Sequence, residues 1–166
     1  MQKAKLMLLA MLLPVPLVIT SCNKCMTPPT NDSVPPVTTL RVSFNDSAGN
    51  SQVEFVNTTD HNSAITVHVP SGQPFTIAYA GNDDGGVKSL HLDYQYWGPE
   101  VNGTATNAHP DLAIDDFSGC ALDYRLVAKD YQWRPSEAVK YQFTAMTTDF
   151  HSNISNTPAI TVLHGQ

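Results

Sequence analysis

Oxygen-bearing side chains gather in two short stretches of this sequence. Asn82-Asp83-Asp84 precedes Gly85-Gly86, and Asp149 is followed four residues later by Asn153. Calcium takes six to eight oxygen ligands from carboxylates, amides and carbonyls, and these five side chains are of the right kind. The same residue types also bond their own backbone and cap turns, so a calcium site and plain turn caps are both open readings. A further acidic stretch, Asp111, Asp115 and Asp116 with His109 nearby, has the carboxylates that hydrolysis needs if one is held protonated. Adjacent residues of an extended chain point to opposite sides, which favours solvated loop carboxylates there. His68 and His91 could share a metal only if their segments lie side by side. Gly-x-Ser-x-Gly and a catalytic cysteine context are both missing, and Gly85-Gly86 lacks the helix and lysine of a phosphate loop. No catalytic residue is assigned.

The segments that must position these groups alternate with period two. Leu40, Val42 and Phe44 form one apolar set, and Val53, Phe55 and Val56 a weaker one. Ile65, Val67 and Val69 follow, then Phe75, Ile77 and Tyr79, then Leu90, Leu92, Tyr94 and Tyr96. Leu122, Tyr124, Leu126 and Ala128 make the next set, then Tyr141, Phe143 and Ala145, and finally Ile160 and Val162. Such alternation predicts strands with one buried and one wet face, as in antiparallel sheets. Seven or eight strands over residues 37–166 predict an all-β, antiparallel two-sheet sandwich. The connection from Gly98 to Gly119 is long for such a fold. Trp97 and Trp133 fall at strand ends or in loops, where exposed aromatics stack on sugars or anchor proteins. They are the candidate binding surface, unless they simply cover the ends of the sandwich, as Tyr131 would with them.

The first residues read differently. Lys3 and Lys5 precede an uncharged apolar run from Leu6 to Ile19. That run is short for a bilayer span of about 20 residues and contains the helix breakers Pro14 and Pro16, so it has the form of a signal peptide. It ends Ile19-Thr20-Ser21-Cys22, which resembles the lipobox of bacterial lipoproteins. The resemblance implies removal of residues 1–21, lipidation (palmitate among the acyl chains) of Cys22 and anchorage of the chain to a membrane. Asn23, where an aspartate would imply the inner membrane, favours the outer membrane of the cell envelope. Residues 22–36 hold four prolines among polar residues and read as an extended tether.

Residues 1–21 hold two of the nine basic residues and no acidic one, which leaves seven basic against fifteen acidic residues in the rest. So acidic a chain is a poor partner for nucleic acid, which demands basic patches. Cys25 and Cys120 are candidates for a disulfide tying tether to domain; otherwise Cys120 is a small buried residue and Cys25 a spare thiol. Sequons at Asn31, Asn45, Asn57, Asn102 and Asn153 are ordinary by-products of a chain rich in Asn, Ser and Thr.

Two longer segments carry a second resemblance. Phe75–Leu92, with alternating strands around Ala80-Gly81-Asn82-Asp83 and Gly85-Gly86-Val87, is similar to strand B, a turn and strand C of bacterial immunoglobulin-like domains. Tyr141–Asn153 and Ala159–Val162 resemble strands F and G, with Thr147, Asp149, Ser152 and Asn153 in the places of an Ala-x-Asp-x-x-Gly-Asn turn. The resemblance implies an immunoglobulin-like sandwich whose B–C and F–G turns emerge at one end. The expectation is then a non-enzymatic, lipid-anchored envelope module that binds a protein or glycan, adheres or acts as a spacer. A calcium-dependent adhesion module is one alternative, and an envelope hydrolase using the loop carboxylates is another. No cofactor is expected beyond calcium.

Overall fold

The computed structural model describes residues 29–97, 125–133 and 140–165, with the side chains of Tyr131 and Trp133 excepted. Nine strands and no helix occur among these residues. They are β1 (Val37–Asn45), β2 (Ser51–Asn57), β3 (Ile65–Val69), β4 (Phe75–Asn82), β5 (Val87–Trp97), β6 (Leu126–Trp133), β7 (Lys140–Asp149), β8 (Ile154–Asn156) and β9 (Ile160–His164). One sheet has the order β2-β1-β4-β6 and the other β3-β9-β7-β5, with β8 beside the far end of β7. All pairings are antiparallel except β3 with β9, which run parallel from Ile65↔Ile160 to Val69↔His164. The fold is all-β with two sheets, as the alternation predicted, and the parallel pair is an addition to it.

The core lies between the sheets and follows the alternation residue by residue. Leu40 and Val42 of β1, Phe75, Ile77 and Tyr79 of β4, and Leu90 and Leu92 of β5 are buried together with Tyr141, Phe143 and Ala145 of β7 and Ile160 and Val162 of β9. A bulge between Val87 and Ser89 resets β5, so Leu90, Leu92, Tyr94 and Tyr96 share the inner face. Phe75, Tyr141 and Phe143 pack ring to ring, with centroids 5.6–6.1 Å apart. This aromatic cluster fills one end of the core.

At the other end the sheets close in. A Cβ placed on Gly81 would come within 2.5 Å of Thr147 Cγ2, so only glycine lets β4 approach β7 there. Thr147 is fully buried, and its Oγ1 accepts a hydrogen bond from Thr38 Oγ1 at 2.7 Å. Thr38 also bonds Ser155 through side chain and backbone. A buried hydroxyl triad thus joins β1 of one sheet to β7 and β8 of the other, and each member has a partner, as burial demands.

Two strands differ from expectation in which face is apolar. In β2 the one buried apolar residue is Val56, opposite Leu40, while Val53 and Phe55 face solvent beside Ser43 and Arg41. β2 is an edge strand, and Phe55 recovers contact by packing on His61 at 4.2 Å. In β6, Leu126 and Ala128 point outward and Val127 packs on the core. The cause is register: Val127 pairs with Gly81, an inward position of β4, and so turns toward the core. Leu122, Tyr124 and the long connection 98–119 lie outside the described residues, as do residues 1–28 with Cys22 and Cys25, and Cys120.

Gly81→Ala tests the close approach. The added methyl must displace a hydrogen-bonded, β-branched side chain, and overpacking of this kind costs about 1–3 kcal/mol. Urea unfolding should show that loss with an unchanged m-value, whereas Gly72→Ala, whose Cβ would meet nothing within 4 Å, pays only for its left-handed backbone.

Candidate metal centre

The acidic residues continue the inner columns of the two sheets. Along β4 the inward residues run Phe75, Ile77, Tyr79, Gly81, and the next in step is Asp83; along β7 they run Tyr141, Phe143, Ala145, Thr147, Asp149. Asp149 is fully buried and Asp83 is 6% exposed. Two carboxylates therefore cap the narrow end of the core, where a sandwich would ordinarily place apolar or neutral groups.

Local hydrogen bonding explains how each is held. Asp149 Oδ1 accepts from the backbone N–H of His151 at 2.8 Å and of Asn153 at 2.7 Å, and Oδ2 accepts from Asn153 Nδ2 at 2.7 Å. Asp83 Oδ1 accepts from Gly85 N at 2.7 Å. The two turns touch, since Phe150 N donates to Gly86 O at 3.2 Å. These are turn caps, as one reading of the sequence has them.

Capping alone does not account for the site, because the hairpin between β1 and β2 is capped in the same way. Asp46 Oδ1 accepts from Ala48 N and Asn50 N, and Oδ2 from Asn50 Nδ2. Asp46 N bonds Asn50 O, as Asp149 N bonds Asn153 O. Gly49 (φ 84°) and Ser152 (φ 69°) occupy the same left-handed position. Asp46-Ser-Ala-Gly-Asn50 and Asp149-Phe-His-Ser-Asn153 are thus two copies of one turn. Among the described residues no group of possible metal ligands includes Asp46, and hydrogen bonds, first that of the Asn50 N–H, hold its carboxyl below the usual range.

Around Asp149 the surroundings are different. Asp32, from the proline-rich segment ahead of β1, reaches the same place. Asn153 Nδ2 donates to Asp32 O at 3.1 Å. Asp32 Oδ2 and Asp83 Oδ1 both overlie Gly85, so that a side chain there would collide with the Asp32 carboxylate. One ligand atom each from Asp32, Asp149 and His151 lie within 4.8 Å of one another. His151 Nδ1 is buried without a hydrogen-bond partner. Burial pushes the Asp83 carboxyl up, Gly85 N–H opposes this, and Asp32 and Asp149 raise it further. The charges acting on Asp83 are both negative, an arrangement that a bound cation would relieve.

Of the five residues expected from sequence, the structure brings Asp83, Asp149 and Asn153 together. Asn82 and Asp84 are exposed and line the outer wall of a groove of about 430 Å³ with Asp32, Val34 and Pro35. Asp32 and His151 were missed. The available signals were an acidic residue five positions ahead of the first strand and a histidine between Asp149 and Asn153. His68 and His91 do not meet, because β9 and β7 separate their strands. Trp97 is half-buried at the end of β5, with Lys140 Nζ 4.2 Å from its ring centroid. Trp133 pairs with Phe75 through the backbone, and its side chain lies outside the described residues, as do His109, Asp111, Asp115 and Asp116. No protein-family model matches the chain, and no curated protein is significantly similar to it.

Two predictions follow from the geometry of the turns. Ser152→Gly removes a non-glycine residue from the left-handed region, where L-residues pay about 1–2 kcal/mol. Part of that gain is lost to the freer unfolded chain, so thermal unfolding should show stabilisation of up to about 1 kcal/mol. Asp83 binds its proton more tightly folded than unfolded. With chelator present its ionisation therefore opposes folding above the raised range, and the penalty is lost as pH falls through that range. Asp83→Asn, which keeps the acceptor for Gly85, should be the more stable protein at neutral pH. Urea titrations should show that advantage fading in acid.

Proposed function

We propose that this chain is a lipid-anchored envelope protein whose single immunoglobulin-like domain binds, adheres or spaces without catalysis. The strand order supports the immunoglobulin-like part. β5, β7 and β9 lie adjacent in one sheet, and β4 sits in the other, the arrangement of strands C, F, G and B in that sandwich. The β4–β5 turn and the β7–β8 turn meet at one end, as the resemblance implies for B–C and F–G.

The observation that carries the functional part is the polarity of the domain. The proline-rich segment enters at the carboxylate end, where Val37 pairs with Asn82. Trp97 and Trp133 stand at the opposite ends of β5 and β6, next to Lys140 and Phe75. With Cys22 lipidated and residues 22–36 as tether, the carboxylate end faces the membrane and the tryptophan end faces away from it. An envelope protein or a glycan is the fitting partner for an aromatic, outward-facing end. Anchorage is expected at the outer membrane.

A second reading, an adhesion module active only with a bound divalent cation, is supported by the meeting of Asp32, Asp83 and Asp149. Calcium is the cation that the sequence suggests for it. The hydrolase reading gains nothing from the described residues.

Metabolic labelling with a palmitate analogue tests the anchor: the full chain should take up label and sediment with membranes, and Cys22→Ser should do neither. Labelling that survives Cys22→Ser overturns the anchorage. The unlipidated Cys22→Ser chain should bind isolated envelopes, and Trp97→Ala should weaken that binding by about tenfold or more, as for a central aromatic anchor. Equal binding by both chains removes the tryptophan end as the binding surface.

A further inference from the structure

We propose that Asp32, Asp149 and His151 form a site for a divalent transition cation of the zinc class, and that the ion staples the segment ahead of β1 to the turn after β7. The inference needs the gathered side chains and not the lipid, so it is separable from the anchorage proposed above.

The donor set points to this class of ion. Zinc accepts imidazole nitrogen and carboxylate oxygen and is commonly four-coordinate, with protein ligands and a water. Calcium prefers six to eight oxygens, and imidazole is not among its usual ligands. The three ligand atoms lie within 4.8 Å of one another. Bonds of about 2.0–2.2 Å in a tetrahedron place ligand atoms about 3.4 Å apart, so small rotations of the side chains suffice.

Each group has capacity left for a metal. Asp149 Oδ1 is taken by two backbone N–H groups, but among the described residues Oδ2 receives only Asn153 Nδ2 and keeps an open lone pair. Asp32 Oδ1 accepts from Val34 N at 2.9 Å, and among the described residues no hydrogen bond reaches its Oδ2. His151 gives only its backbone N–H to the turn, and its buried ring Nδ1 has no hydrogen-bond partner among the described residues. A buried imidazole nitrogen without a partner is costly unless something binds it. The matching turn at Asp46 has Ala48 where this one has His151, and it folds with the same hydrogen bonds. The histidine is therefore not needed for the turn.

Asn153 completes the arrangement. The same Nδ2 holds Asp149 Oδ2 and the Asp32 carbonyl, which orients one carboxylate and brings in the chain segment that carries the other. Such supporting hydrogen bonds commonly accompany metal ligands.

The test uses the full chain in detergent, stripped with chelator and then titrated separately with zinc and with calcium. Zinc should raise the melting temperature, shift the ring nitrogens of His151 in NMR spectra and slow amide exchange over residues 30–35. Asp32→Asn and His151→Gln should each weaken zinc binding by at least about tenfold without lowering the metal-free melting temperature. Both substitutions lie outside the core, so a folding failure is not the expected confounder; Ala48→Gln serves as the control that leaves zinc binding unchanged. Stabilisation by calcium and not by zinc overturns the assignment of the ion. Zinc binding that survives both substitutions, or no binding, overturns the site. Zinc binding without slower exchange over residues 30–35 overturns the staple.

Discussion

The distance between the sheets at Gly81 and Thr147 governs much of this molecule. Because β4 carries no side chain at that point, the inner faces meet with only a threonine between them, and the buried hydroxyls of Thr38, Thr147 and Ser155 close the contact. One step further along each inner column the residue is an aspartate. A wider separation would let water in and leave Asp83 and Asp149 as ordinary turn residues. The narrow gap instead removes them from solvent and brings their charges to bear on each other. Packing at a glycine thus sets the electrostatics two residues away.

Most of the fold was legible because its strands bury one face only. Leu40, Val42, Ile77, Tyr79, Leu92, Phe143 and Val162 fall inward as their spacing demands. The failures are at edges. Val53 and Phe55 in β2, and Leu126 in β6, belong to edge strands, where one neighbour fixes the register and an apolar side chain can remain in solvent at modest cost. Period two does not say which of two half-apolar faces will be chosen; pairing with Gly81 decided it for β6. The parallel pair of β3 and β9 was beyond local reasoning, since a five-residue strand carries no mark of the direction of its partner.

The candidate site was legible in part for a related reason. Asp83, Asp149 and Asn153 sit in turns between strands whose order a resemblance could suggest, so their meeting was foreseeable. Asp32 lies in a proline-rich stretch with no periodicity, and only three-dimensional contact through Asn153 reveals that the stretch folds back. His151 was overlooked because a turn motif directs attention to the residues that make the turn, whereas His151 contributes only its backbone N–H to it.

That last point bears on how such a chain can change over generations. The hairpin frame shared by residues 46–50 and 149–153 draws on the side chains of its first and last residues and on main-chain atoms between them. The middle side chain takes no part in the hydrogen bonds of that frame, so exchanging it leaves the turn in place. A lineage can therefore exchange alanine for histidine there, or discard it again, and acquire or abandon a ligand without passing through a misfolded ancestor.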